Sequence, residues 1–341
     1  MQTAEELYQK LKNIRVDNPL CTYTYEKCER LIPLINAILE LKKEKDALIL
    51  AHSYVHPDII YTVADHVGDS YGLAMQAKET QAKMIVFPAV RFMAETAKIL
   101  NPEKIVIDPN PNGGCTLADS ITADDVHTLR SQYPDHTFVC YINTTAAVKA
   151  ACDVCVTSSN VYQIIENLPN KKIYFLPDKL MGQNVQNALK GKKEISLYDG
   201  TCYVHEEFST EEVHALRRSH PNLSVLAHPE CTQEVIQEAD VVGSTSQIVS
   251  YVKEHRQESR PFLILTECGI TSRLQVEHPE LNLVGSCMMC RYMKSNSLEA
   301  ILHSLENPSK TIEIEHTIQE KARACVNAMF HYAAPSPMKS K

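Results

Sequence analysis

Short apolar runs separated by longer stretches of helical periodicity organise this chain. Ala47–His52, Thr137–Tyr141 and Leu223–His228 are Val-, Ile- and Leu-rich or aromatic runs, each ending on a ring side chain. A second run follows each of them and leads to a small hydroxyl residue at Ser70, Ser158 or Thr245. A third recurs at Ile85–Phe87, Ile173–Phe175 and Phe262–Ile264. A fourth recurs at Ile105–Asp108, Ile195–Tyr198 and Leu281–Val284 and leads within a few residues to Cys115, Cys202 and Cys290. The four landmarks share a period of about 88 residues, and a fixed period across independent landmarks signals copies of one structural unit.

Runs of three to six apolar residues alternating with helical patterns, such as Tyr71–Ala82, Ser159–Leu168 and Ser246–Arg256, predict parallel β-sheets with crossover helices. The expected architecture is α/β: three homologous α/β/α sandwich units in a pseudo-three-fold arrangement around a central site. Their expected bounds are 1–114 with 291–341, 115–201 and 202–290. Helical patterns over about 2–15 and 27–45 precede the repeats, and others over about 296–305 and 315–330 follow them. The hydroxyls of Ser70, Ser158 and Thr245 are expected to cap helices. The tail from Ala333 reads as frayed.

Composition narrows the function classes. Of 341 residues, 44% are hydrophobic and 22% charged, which excludes a disordered chain. The formal net charge of −8, without a basic stripe, argues against nucleic acid and anionic membranes as partners. No apolar run approaches the ~20 residues of a membrane span. The polar, helical N-terminus shows no signal peptide, so a cytoplasmic protein is expected. No Gly-rich dinucleotide or P-loop fingerprint is present.

Twelve cysteines are the unusual component. Without a secretory signal, and with a core large enough to fold on, a disulfide framework is a poor explanation. Cys115, Cys202 and Cys290 hold one repeat position, followed in the second copy by Val204 and His205. Ligands of parallel sheets gather beyond the carboxyl ends of the strands. Three units around one axis therefore bring three thiols together, and thiolates at one point need a metal to neutralise them. A 4Fe–4S cluster with one open iron fits three ligands; zinc with three thiolates and a water competes. Alternation along a strand predicts that the thiols of Cys152 and Cys155 point apart, as packing residues. Two further rings accompany the cysteines. His52 with Tyr54, Tyr141 with Asn143, and His228 with Glu230 cap the first strands and offer acid/base groups and donors. Ser70, Ser158 and Thr245 open helices, whose N-termini hold phosphates and carboxylates. Together they point to a small, multiply anionic substrate beside a metal centre.

The chain resembles the quinolinate synthase family. The segments that carry the likeness are Ala51–Tyr54, Gly68–Ser70, Phe92–Pro102, Gly114–Ser120, Tyr141–Lys149, Thr157–Asn160, Phe175–Asp178, Cys202–Glu206, His228–Cys231 and Val242–Gln247. The resemblance implies condensation of iminoaspartate with dihydroxyacetone phosphate to quinolinate, phosphate and water, a transferase step of NAD biosynthesis. It implies a 4Fe–4S cluster on Cys115, Cys202 and Cys290, with the open iron as Lewis acid. It implies substrate binding by His52, Ser70, Tyr141, Asn143, Ser158, His228, Glu230 and Thr245, and catalytic roles for Tyr54, Glu230 and His228. Functional coupling to an L-aspartate oxidase or dehydrogenase follows from the same resemblance. The chain departs from the family at Arg291, where Pro often follows the third ligand, so Cys287 competes with Cys290 there. Two rival functions are a non-catalytic binding protein for anionic metabolites and a zinc-dependent hydrolase or lyase.

Overall fold

The computed structural model describes residues 3–15, 19–110, 113–308 and 311–333; of the tail read above as frayed, the part from Ala334 lies outside them. Its strands form three sheets. The first holds β1 (Ala47–His52), β2 (His66–Gly68), β3 (Met84–Val86) and β4 (Ile105–Ile107). The second holds β5 (Thr137–Tyr141), β6 (Val154–Val156), β7 (Lys172–Leu176) and β8 (Glu194–Leu197). The third holds β9 (Ser224–Ala227), β10 (Val241–Val242), β11 (Phe262–Leu265) and β12 (Leu283–Val284). In each sheet the spatial order is second, first, third, fourth strand, and every pairing between these strands is parallel. The three α/β units expected from the period are thus present as three sheets of one topology.

Burial explains the strand sequences. Parallel strands need crossover helices, which cover both faces, so strand residues on either side are apolar. The third sheet shows the alternation clearly. Val225 and Ala227 of β9, with Leu263 and Leu265 of β11, pack with Phe208 and Val213 in a small core of their own. Leu226, Phe262 and Ile264 point the other way, into the large core shared with the first two units. The helix Tyr25–Glu44 packs against Leu298–Glu306. The C-terminal helix His316–Ala333 lies on Ala146–Ala150, β6 and Val161–Asn167 and also touches Arg91–Leu100, so it spans the first and second units. Among the described residues, no helix is long and apolar enough to cross a membrane.

Two local expectations are corrected. The helix caps are Asp69, whose side chain accepts from the Gly72 N–H, and Ser244, whose side chain accepts from the Gln247 N–H. Ser70 and Thr245 therefore occupy the first helical position, and Ser158 lies in the turn before Val161–Asn167. A carboxylate or serine one residue earlier satisfies the helix, which leaves the Ser70 and Thr245 hydroxyls available elsewhere. The thiols of Cys152 and Cys155 also do not diverge. Cys152 precedes β6 rather than lying in it, and both thiols reach Cys140, as does Cys325, whose sulfur is 3.7 Å from that of Cys140.

Register sets up the site. His52 pairs with Gly68, Tyr141 with Val156, and Ala227 with Val242. The carboxyl ends of the first two strands of each unit therefore end level, and the loops beyond them face one place.

Candidate active site

One backbone feature repeats in all three units and fixes the cysteine loops. The N–H of Arg91 donates to the Gly113 carbonyl (3.0 Å), that of Lys179 to Gly200 (2.7 Å), and that of Cys268 to Met288 (2.9 Å). In each loop the residue two positions after that acceptor is a cysteine: Cys115, Cys202 or Cys290. All three line the same cavity. Cys287 lies before the acceptor, outside the equivalent position, and lines a different cavity with Cys268. Position in the fold therefore groups Cys290, not Cys287, with the other two.

The other candidate binding and catalytic residues also line this cavity: His52, Tyr54, Ser70, Tyr141, Asn143, Ser158, His228, Glu230 and Thr245. The first and third units position their histidines in the same way. His52 Nδ1 accepts from the Tyr54 N–H (3.2 Å), and His228 Nδ1 accepts from the Glu230 N–H (3.4 Å). A ring nitrogen that accepts carries no proton, so this hydrogen-bond network assigns the proton of each neutral ring to Nε2. Burial holds both rings neutral, moving His52 down to about 4 and His228 down to about 3.

That depression predicts a pH effect of definite sign. An unfolded His takes its proton near pH 6.5, whereas folded His228 stays neutral to about pH 3. Between those values the unfolded chain binds more protons, so the contribution of His228 to stability falls as pH drops. By pH 5 that loss is about 2 kcal/mol. The decrease in melting temperature from pH 7 to pH 5 is expected to be smaller in His228→Gln than in the parent. An equal decrease would show that His228 is not held neutral.

Sequence reasoning did not select several residues that complete the site. Tyr54 OH lies 2.6 Å from Thr266 Oγ1, and His205 Nε2 lies 2.9 Å from the same oxygen. His205 Nδ1 is 3.2 Å from Glu230 Oε2, and Tyr141 OH donates to Glu230 Oε1 at 2.6 Å. A continuous polar chain thus joins Tyr54, Thr266, His205, Glu230 and Tyr141. Burial opposes charge on Glu230, but His205 and the Tyr141 hydroxyl outweigh it and hold the carboxyl down at about 2. Burial keeps both tyrosines protonated by raising them well above their usual range. Thr245 Oγ1 is buried without a hydrogen-bond partner, and buried Glu230 Oε2 has the 3.2 Å contact with His205 Nδ1 but no well-formed hydrogen bond, which marks both as atoms with room for a ligand.

At the cavity wall, which Glu267 helps to line, Glu267 and Lys294 form a buried ion pair at 3.1 Å. Glu267 Oε1 accepts from the Cys290 N–H (3.3 Å), and Lys294 Nζ donates to the Tyr54 carbonyl. The pair therefore braces the third cysteine loop against the Tyr54 loop. Removing one partner of a buried pair leaves a bare charge and costs about 3–5 kcal/mol. Lys294→Met is expected to lower stability to denaturant by that order. A midpoint equal to the parent's would refute the bracing role.

The donor set limits the group it can hold. The sulfurs of Cys115, Cys202 and Cys290 are not all within 4.8 Å of one another, whereas Cys202, His205 and Glu230 offer donor atoms that are. A single tetrahedral zinc with Zn–S bonds of ~2.3 Å needs sulfurs about 3.8 Å apart. At least one pair of the three sulfurs is wider than that, so the thiols as they stand do not close on one ion. Burial raises all three thiols, Cys115 to about 12, so bound metal charge is what would make them thiolates.

Comparison with known proteins adds to this geometry. The family described as quinolinate synthetase A protein matches residues 36–331. The chain is 42% identical over 320 residues to quinolinate synthase 1 of Mesorhizobium japonicum, covering 91% of this chain and 98% of that protein. It is 42% identical over 314 residues to quinolinate synthase of Agrobacterium fabrum, with 89% and 90% covered. It is 43% identical over 298 residues to quinolinate synthase of Caldicellulosiruptor bescii, with 87% and 97% covered.

Proposed function

The chain belongs to the quinolinate synthetase A family, and from that premise we propose that it condenses iminoaspartate with dihydroxyacetone phosphate to give quinolinate, phosphate and water. The reaction is a transferase step in NAD biosynthesis. The observation that carries the reading is the convergence of Cys115, Cys202 and Cys290, from equivalent loops of three units, on one cavity lined with donors to anions. We assign those cysteines as the ligands of a 4Fe–4S cluster. Three protein ligands would leave one iron open, and a bound cluster would there supply Lewis-acid polarisation of a substrate oxygen. The three sheets of one topology are consistent with a pseudo-three-fold arrangement around it.

The side chains of the chain itself do the binding and proton movement. His52 and His228 are neutral and offer Nε2–H donors. Ser70 and Thr245 stand at the first position of ten-residue helices, where backbone N–H groups and hydroxyl meet a phosphate or carboxylate together. Asn143 and Ser158 extend the same donor set across the second unit. Glu230, ionised and held by Tyr141, takes a proton from a substrate carbon or nitrogen. His205 and Thr266 link it to Tyr54, whose protonated hydroxyl returns a proton during isomerisation and ring closure. In this reading the chain works in the cytoplasm and receives iminoaspartate from an L-aspartate oxidase or dehydrogenase.

The reaction is tested by incubating the anaerobically reconstituted protein with iminoaspartate and dihydroxyacetone phosphate. Quinolinate and phosphate are expected to appear in equal amounts. A full cluster with no quinolinate would reject the reaction while leaving the cofactor standing.

A further inference from the structure

Resting on the cluster assignment above, we propose that the cluster-free cavity binds a single zinc-class cation on a different donor set. The donors are Cys202 Sγ, His205 Nδ1 and Glu230 Oε2, with water as the fourth ligand. Among the described residues, these three form the group whose donor atoms all lie within 4.8 Å of one another. His205 Nδ1 is 3.4 Å from Cys202 Sγ and 3.2 Å from Glu230 Oε2. A tetrahedral zinc with bonds of ~2.3 Å to sulfur and ~2.0–2.1 Å to nitrogen and oxygen requires edges of about 3.6 Å and about 3.3 Å. The two edges from His205 are within a few tenths of an ångström of that requirement, and the third, from the Cys202 sulfur to the Glu230 carboxylate, is no more than 4.8 Å. One thiolate, one imidazole and one carboxylate with an open position is zinc-type coordination.

A second observation points the same way. Glu230 Oε2 is buried and makes no well-formed hydrogen bond beyond its 3.2 Å approach to His205 Nδ1, while Oε1 is held by Tyr141. His205 Nε2 lies 2.9 Å from Thr266 Oγ1, a contact that suits the tautomer with Nε2–H and a lone pair on Nδ1. Metal-binding histidines are oriented by such outer contacts. Binding displaces the Cys202 thiol proton to solvent and involves no redox change. Because Cys202 serves both sets, cation and cluster exclude each other. The cation is therefore a competitor for cluster assembly, and its capture leaves the chain inactive.

The test uses the cluster-free full chain, kept anaerobic and stripped with chelator, titrated with Zn²⁺ against a chromophoric chelator. One tight equivalent is expected, and zinc-loaded protein is expected to refuse the cluster on reconstitution. His205→Gln is expected to weaken zinc binding at least about 100-fold, yet to assemble iron and sulfide to the parent level. Cys115→Ser and Cys290→Ser are expected to keep the parent's zinc affinity. Unchanged zinc affinity in His205→Gln would overturn the proposal, and so would its loss in Cys115→Ser or Cys290→Ser. Full cluster uptake by a zinc-loaded chain that keeps its zinc would overturn the exclusion. If no preparation accepts a cluster while the zinc results hold, the cluster assignment falls and the zinc site stands.

Discussion

Cys202→Ala is expected to lose iron, sulfide and turnover together. Cys202 sits two residues beyond the Gly200 carbonyl, the position that Cys115 and Cys290 hold in the other units, and it faces the cavity with them. A Lewis-acid metal supplies several kcal/mol of transition-state stabilisation. Since each ~1.36 kcal/mol is tenfold in rate, its loss should reduce turnover at least about 10³-fold. Cys115→Ala and Cys290→Ala should do the same, because a cubane missing a protein ligand is exposed and lost. Cys287→Ala is the informative contrast. Its side chain belongs to a separate cavity, so cluster content and turnover should stay near the parent's. A Cys287→Ala protein without cluster, beside a Cys290→Ala protein that keeps it, would reverse the assignment of the third ligand.

Glu230→Gln separates chemistry from cofactor. Gln keeps the shape and an oxygen for the Tyr141 hydroxyl, so the cavity should persist. What it removes is the proposed base, an ionised carboxylate held at about 2 by His205 and the Tyr141 hydroxyl. General acid–base groups contribute roughly 10²–10⁴-fold, and turnover should fall by that order while iron, sulfide and the visible spectrum stay those of the parent. Tyr54→Phe should follow the same pattern, because the polar chain through Thr266 and His205 ends on its hydroxyl. Full turnover in Glu230→Gln would remove the carboxylate from the chemistry.

Much of this arrangement was legible from the sequence because the period of about 88 residues records the fold three times. Agreement among His52, Tyr141 and His228, and among the three cysteines, turned weak single signals into a site. The same comparison could have found two residues that were passed over. Asp178 and Glu267 follow β7 and β11 at equivalent positions, form equivalent bridges to Gly200 and Met288, and are both buried. His205 carried only the spacing of Cys202-x-x-His205, and it has no sibling in the other repeats. Thr266 carried no local signal, since its role arises from contacts with Tyr54 and His205, 212 and 61 residues away. The caps were misread by one residue because Asp69 and Ser70, or Ser244 and Thr245, are adjacent residues of similar capping strength, and backbone direction decides between them. The meeting of Cys140 with Cys325 spans 185 residues and depends on where the last helix docks.

The central claim is that three repeats of one α/β unit carry three cysteines to a single iron–sulfur centre. It is tested most directly by counting iron, acid-labile sulfide and zinc in protein purified without oxygen. The account predicts a brown protein with about four iron and four sulfide per chain. A colourless protein that holds zinc, and takes up neither iron nor sulfide after anaerobic reconstitution, would contradict it.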